Sequence, residues 1–408
     1  MADGGFDAGD MGGGSFGGGD FSETTNQSWF SRLGNAVKGV LIGLVLFVVS
    51  FPLLFWNEGR AVQAYMGLAE GKRSVVSVPA DKVDPANDKK LVYLTGRATT
   101  DDNVTDANFG IEYTAIRLER QAEIYQWEEK FKTETVKKIG GGTQQKKTPI
   151  YDKIWNSTPI DSSQFKDPSK KNTGTLEFSS QTTTAAKVTL GAFTLSPELV
   201  SRIPKRETIS AAAVGLFGAK PEVKQNWKVS GLLFYRGGDP GSPAIGDQRI
   251  EFILTRPQDV SFYAEQVGNT FAAYKTKANT DLLRLEPGTV PVAKMFDDAQ
   301  AEENTFTWVL RLVGFLLMAV GVYLMFQPFV VFADVLPFLG NFLSMGIGLF
   351  AALVALPITL LTIAIAWIWY RPILGVSLLV GVALLVGLLF HFRRSRPSPI
   401  ATAPTRAG

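Results

Sequence analysis

The sequence predicts an α+β membrane protein: four transmembrane helices, one N-terminal and three C-terminal, and a large strand-rich extracytoplasmic domain between them. Two observations carry this. Apolar residues crowd into Ala36–Trp56 and Trp308–Phe392, while 57–307 reads as an ordinary soluble stretch with alternating strands. At about 250 residues, that stretch is long enough to bury a core of its own. The expected layout is a disordered Gly-rich cytoplasmic tail over 1–35, a first helix over 36–56 and an extracytoplasmic domain over 57–307. Three helices follow over 308–392, with a broken interfacial segment at 327–341, and then a basic cytoplasmic tail over 393–408.

The first residues, with their run GGGSFGGGDF, cannot bury enough apolar surface to offset the entropy of ordering. The apolar run that follows ends in bulky Phe51, Leu53, Phe55 and Trp56 rather than in a small-residue cleavage site. It reads as an uncleaved signal-anchor.

Ala36–Trp56 has 21 residues, which fits the roughly 20 needed to cross a hydrocarbon core. Lys38 can snorkel at its start, and Trp56 marks the far interface. Gly39 and Gly43 form a G-x-x-x-G pair, a candidate for close helix contact. The second span is Trp308–Phe326, with Arg311 in its first turn. The third is Phe342–Trp367, where Ser344, Gly348 and Ala352 form a small-residue stripe, Ala351 and Ala355 lie beside it, and Pro357 predicts a kink. Ile373–Phe390 is the fourth, entered through the turn Tyr370-Arg371-Pro372. Between the second and third spans, Gln327–Gly340 is too short and too proline-broken to cross. Asp334 there is the one acid of the apolar C-terminal region. It is either an intramembrane functional carboxylate or, the simpler reading, a cap on a helix end at headgroup level.

Orientation follows from basic residues in the short flanks. Arg32 and Lys38 precede the first span, and Arg393, Arg394, Arg396 and Arg406 follow the last; Arg371 alone sits in the short opposite loop. Both termini are therefore expected in the cytoplasm and the domain outside it.

Within the domain, 57–70 is expected to continue the first helix, with Gly71 ending it. Lys72–Val78, Leu91–Thr95, Ile111–Arg120, Glu123–Glu129, Thr175–Ser179, Ala186–Phe193, Trp227–Tyr235 and Gln248–Leu254 read as strands. Phe131–Ile139 and Thr148–Trp155 flank Gly140-Gly-Gly as a hairpin tip; the spacing is wrong for a phosphate loop. Val260–Tyr274 and Pro291–Asn304 read as helices, and Ser196 as the cap of a short one. A weak echo relates 92–96 with 116–123 to 233–237 with 250–257, as in a duplicated unit.

Composition narrows the chemistry. The net charge of +3 gives no argument for nucleic acid. There is no cysteine, and the single histidine, His391, ends the last span. The domain thus holds no Ser-His or Cys-His nucleophile and no His- or Cys-ligated zinc. No cofactor or metal is expected. The adjacent acids Glu128/Glu129 and Asp297/Asp298 point in different directions on a strand or a helix, which disfavours a catalytic pair.

Several stretches carry a resemblance. They are Phe55-Trp-Asn-Glu-Gly-Arg-Ala-Val62, Phe109-Gly-Ile, Ala115-Ile-Arg-Leu118, Tyr125-Gln-Trp-Glu128, Leu190-Gly-Ala-Phe193, Ala333-Asp-Val-Leu-Pro-Phe-Leu-Gly340 and Ala366-Trp-Ile-Trp-Tyr-Arg-Pro372. Together with the layout they resemble the LUMA family (transmembrane protein 43 family). The resemblance implies four spans, a large non-cytoplasmic domain, self-association and no catalytic residues, with scaffolding of inner nuclear membrane and endoplasmic reticulum proteins in animal relatives. The missing cysteines and the Gly-rich tail suit a bacterial member, in the inner membrane with a periplasmic domain; in a eukaryote the endoplasmic reticulum or inner nuclear membrane takes its place.

The expected function is a non-enzymatic, homo-oligomeric scaffold whose partners are itself, the bilayer and other membrane proteins. Asn57, Glu58, Arg60, Asp334 and Arg371 are its candidate interface or lipid contacts. Gly39, Gly43, Ser344, Gly348 and Ala352 are its candidate helix-packing positions. The simplest alternative for Glu58 and Arg60 is a surface ion pair worth less than about 1 kcal/mol. A transport or channel subunit and a membrane-tethered carboxylate enzyme are the other two functions considered.

Overall fold

The computed structural model describes residues 21–204, 207–335, 337–373, 377 and 380. The Gly-rich start over 1–20, most of the expected fourth span and the basic tail with His391 lie outside the described residues. Two compact units are present. One is built from residues up to Gly34, Gly67–Ala299 and Val331–Asn341; the other from Asn35–Met66, Gln300–Val330 and Phe342 onward.

Three long helices run through the chain: α1 (Trp29–Ser74), α2 (Val292–Ala333) and α3 (Pro337–Tyr370). All three are long and apolar enough to cross a membrane. Ser28 caps α1, its hydroxyl accepting from the Ser31 N–H at 3.2 Å, which satisfies one of the donors a helix start leaves open. At the other end the Val75 N–H donates to the Gly71 carbonyl, and Lys72 and Arg73 suit the negative pole of the helix. Gly71 does not end the helix as expected; a Cβ there would strike the side chains of Leu282 and Phe296.

The membrane unit is held by a small core of Leu54, Met318 and Ala355, with Phe47, Phe51, Phe315 and Ile358 against it. Pro328 does not break the second span, as expected for 327–341. It lies within α2, which runs on to Ala333, and the break falls at the Asp334 junction before Pro337.

The strands that carry the architecture of the domain are β1 (Glu23–Gln27), β2 (Leu91–Thr99), β3 (Arg117–Lys137), β4 (Thr143–Asn156), β5 (Leu233–Arg236), β6 (Gln248–Thr255) and β7 (Gln258–Val267). The first sheet runs β1-β4-β3-β6-β5; in the second, β2 pairs β7. β6 passes into β7 across Arg256-Pro257 and so changes sheets. Val92, Leu94, Phe262 and Val260 of the second sheet meet Leu118, Phe252 and Leu254 of the first, around a cluster of rings on Phe109. The other face of the second sheet buries Leu91 and Tyr263 under Leu68, Met295 and Phe296 at the domain ends of α1 and α2. Tyr263 and Phe296 stack with centroids 4.5 Å apart.

This double burial explains one failed expectation. Val260–Tyr274 is β7 and a following strand, not a helix, because a strand covered on both faces shows an unbroken apolar run instead of alternation. Of residues 72–78, Lys72–Ser74 end α1 and Val76–Ser77 form a short strand beside β2, while Thr175–Ser179 forms no strand. The supposed duplication also fails: 92–96 and 116–123 lie in different sheets, whereas 233–237 and 250–257 are neighbours in one.

Residues 21–35, expected to be disordered, contain β1 and the start of α1. Five residues of β1 pair antiparallel with Thr143–Lys147 of β4. An edge strand needs backbone partners rather than apolar side chains, so composition gave no hint of it.

Candidate functional site

The three membrane helices meet at a buried polar clamp. Glu58 of α1 is 1% exposed. Arg311 of α2 donates to both its oxygens, Nε to Oε1 at 2.6 Å and Nη2 to Oε2 at 2.8 Å, and the Trp367 indole N–H of α3 donates to Oε2 at 2.7 Å. The guanidinium lies over the Trp308 ring, 4.7 Å from its centroid. Glu58 and Arg60, two residues apart on a helix, face different sides. Arg60 therefore pairs with Glu303 at 2.5 Å and Thr307 at 3.2 Å instead, and the Asn57 side-chain amide donates to the Thr307 carbonyl at 3.1 Å. Gly59 completes the fit: a Cβ there would lie 2.6 Å from the Tyr370 ring. Asn57 Oδ1 and Arg60 Nε are buried without a partner among the described residues.

Such a clamp is a device for uniqueness more than for raw stability. Desolvating the two charges costs nearly what their attraction returns, but one ion without its partner is heavily penalised. The bidentate geometry then admits one arrangement of three helices. The sequence singled out Asn57, Glu58 and Arg60 but placed Arg311 only in the first turn of the second span. A usable signal existed: Glu58 ends one span and Arg311 starts the next, so antiparallel neighbours place opposite charges at one level.

Close packing lies partly where small residues suggest. At Gly43 a Cβ would fall 2.6 Å from the Gly321 carbonyl oxygen, and at Gly321 2.7 Å from that of Gly43. The two backbones thus cross in contact. Gly321→Val is expected to destabilise the solubilised protein by about 1–3 kcal/mol through overpacking, read as a lower melting temperature in mild detergent, while Gly39→Ala leaves it unchanged. Gly39 has no heavy atom within 4 Å of a would-be Cβ among the described residues, nor has Gly348. On α3 the stripe buried within the chain is Ala351, Ala355 and Thr359, offset by one position from Ala352. Ser344 shares a 3.1 Å hydrogen bond with Tyr323.

A second charged cluster sits in the other unit. Asp334, at the α2–α3 junction, is fully buried and ion-paired with Arg32 and, at 2.6 Å, with Lys137 near the β3–β4 tip. Arg32 also donates to the Gly141 carbonyl, the Gly140 N–H to the Val335 carbonyl at 3.2 Å, and the Trp29 indole N–H to the Val331 carbonyl at 2.8 Å. Gly140 and Gly141 adopt positive φ of 90° and 81°, which the tight tip requires. Asp334 therefore joins three separate chain segments. Arg371 is half-buried just past α3, its N–H donating to the Trp367 carbonyl at 2.7 Å.

The acids considered for catalysis are spread over the surface. Glu128 pairs with Lys130, Glu129 accepts the Tyr151 hydroxyl, Asp297 pairs with Lys72 and Asp298 with Lys294.

Apolar helices with a buried charge clamp, joined to a two-sheet domain, define an integral membrane protein whose strongest chemistry is internal. Residues 124–372 match the family model described as Transmembrane protein 43. Transmembrane protein 43 of Mus musculus is 32% identical over 88% of this chain and 91% of its own length. The Homo sapiens protein is 31% identical over 91% and 94%, and the Drosophila melanogaster homolog 26% identical over 89% and 94%. The chain belongs to the transmembrane protein 43 family, as the resemblance implied. No solved structure matches it.

Proposed function

We propose that this protein is a non-enzymatic membrane scaffold that works as a homo-oligomer and organises a patch of bilayer or the complexes within it. The observation that carries the reading is the clamp: Glu58, Arg60 and Arg311 are each held by fixed partners. A transport path through the helices would need such groups to line a route and exchange partners. The hydroxyls support the same view, with Ser50 bonded to the Phe47 carbonyl and Thr362 to that of Ile358. Gly39 and Gly348 leave close-approach positions for another copy. The basic flanks favour a domain on the non-cytoplasmic face, in a bacterial inner membrane or, in a eukaryote, the endoplasmic reticulum or inner nuclear membrane.

Two differently tagged copies expressed together test the reading. Capture of one tag from mild detergent is expected to bring down the other; each tag recovered alone would count against it.

A further inference from the structure

Within the membrane unit, α1 and α3 leave a groove of about 480 Å³ between them, a usual size for a small-ligand site. Phe51 and Phe55 line one wall, Leu361 and Ile365 the other, and Trp56 and Tyr370 stand at one end. Thr362, the one hydroxyl along the walls below that end, turns back onto the Ile358 carbonyl at 2.8 Å. The body of the groove therefore offers an occupant apolar contact and no hydrogen bond.

The α3 wall runs from Ile358 to Tyr370, which is about 18 Å of helix at 1.5 Å per residue. Half of a hydrocarbon core of about 30 Å is about 15 Å. The groove is thus one leaflet deep, and its two ends differ as the two ends of a leaflet do. Trp56 and Trp369, both exposed, mark the interface at the mouth. Leu361 and Ile365, 60% and 52% exposed, lie deeper and face outward.

Arg371 follows Tyr370 at the mouth. It is half-buried and has no ion-pair partner among the described residues. Its backbone is held by the Trp367 carbonyl and restricted by Pro372, so the cation is kept where α3 ends. Glu58, two residues past Trp56, is buried and held by Arg311 and Trp367, so it does not oppose an anion at this level. A cation above an apolar groove one leaflet deep matches the two parts of a glycerophospholipid. The guanidinium suits the phosphate diester, and the groove suits an acyl chain. A sterol would fill the groove but carry no anion for Arg371.

We propose that this groove holds an acyl chain of one glycerophospholipid, from the leaflet in which the first span ends, with the lipid phosphate on Arg371. The site lies within a single chain. It requires the membrane placement of α1 and α3 but not the homo-oligomer proposed above, so single copies would carry it too.

The full-length protein is reconstituted in phosphatidylcholine vesicles with a trace of phosphatidylcholine bearing a photoreactive diazirine on its acyl chain. After irradiation the labelled residues are mapped by mass spectrometry. Leu356 and Leu360, 49% and 57% exposed on α3 and outside the groove, report ordinary lipid contact. Groove residues are expected to take at least about fivefold more label than these two, a preference of about 1 kcal/mol. Arg371→Gln should cut the groove label about tenfold, as the loss of one charge-assisted hydrogen bond predicts, and leave Leu356 and Leu360 unchanged. Arg371→Lys should keep most of it. Leu361→Trp, which narrows the groove, should lower the label with Arg371 in place. Equal labelling of groove and control positions would overturn the site, leaving only ordinary lipid contact. Strong groove labelling that Arg371→Gln does not change would overturn the phosphate contact. Label on the control positions alone would mean that the groove is covered by protein, from this chain or a second copy, and would overturn the proposal.

Discussion

Glu58→Ala is expected to destabilise the protein by about 3–5 kcal/mol, the usual cost of stripping one ion from a buried pair. The substitution leaves the Arg311 guanidinium without its two carboxylate bonds, and the Trp367 indole N–H loses its acceptor. Arg311→Ala should cost a similar amount, because Glu58 is the more deeply buried partner. The double variant Glu58→Leu, Arg311→Met should recover most of the loss, since volume is kept and no charge is stranded. Trp308 and Trp367 flank the guanidinium, so intrinsic fluorescence during thermal denaturation in mild detergent reports the change directly. A single variant within about 1 kcal/mol of wild type would mean the pair behaves like an exposed one.

Asp334→Asn is the second large effect. One buried carboxylate compensates both Arg32 and Lys137, whose side chains are 12% and 24% exposed. Neutralising it leaves two cations facing each other across the joint. The partial exposure of the cations discounts the buried-pair cost to about 2–3 kcal/mol. The loss should be local: the tip with Gly140 and Gly141 releases Arg32, and β1 frays from β4. Limited trypsin digestion should then cut after Lys137 or Lys138 much faster than in wild type, with the two-sheet core intact. Unchanged digestion would show that the backbone bonds of Gly140 and Trp29 hold the tip without the charge.

What the sequence made legible follows the physics of its signals. The spans stood out because about twenty apolar residues in a row have few other uses. β6 was readable because one residue in two is buried along most of it. β7, covered on both faces, lost that alternation and resembled a helix, and β1 gave no apolar signal at all. The polar positions were found more readily than their partners. Glu58 was singled out, but Arg311 lies 253 residues away; Asp334 was noticed, but Arg32 and Lys137 lie 302 and 197 away. Pairings at that separation are set by how helices and strands assemble, which local pattern does not encode. Gly43 was singled out together with Gly39, but its true neighbour, Gly321, sits on another span. The same lack of pairing information left an interface contact or a surface pair with Glu58 as the readings of Arg60, whose partner is Glu303.

The scaffold reading stands or falls on the number of copies in the membrane. Particles extracted directly into native nanodiscs, without detergent, and weighed one by one give that number. A single dominant mass containing several copies of the chain is expected, with the matching rotational symmetry in electron micrographs. A population made only of single copies, at a protein density comparable to that of the cell, would contradict it.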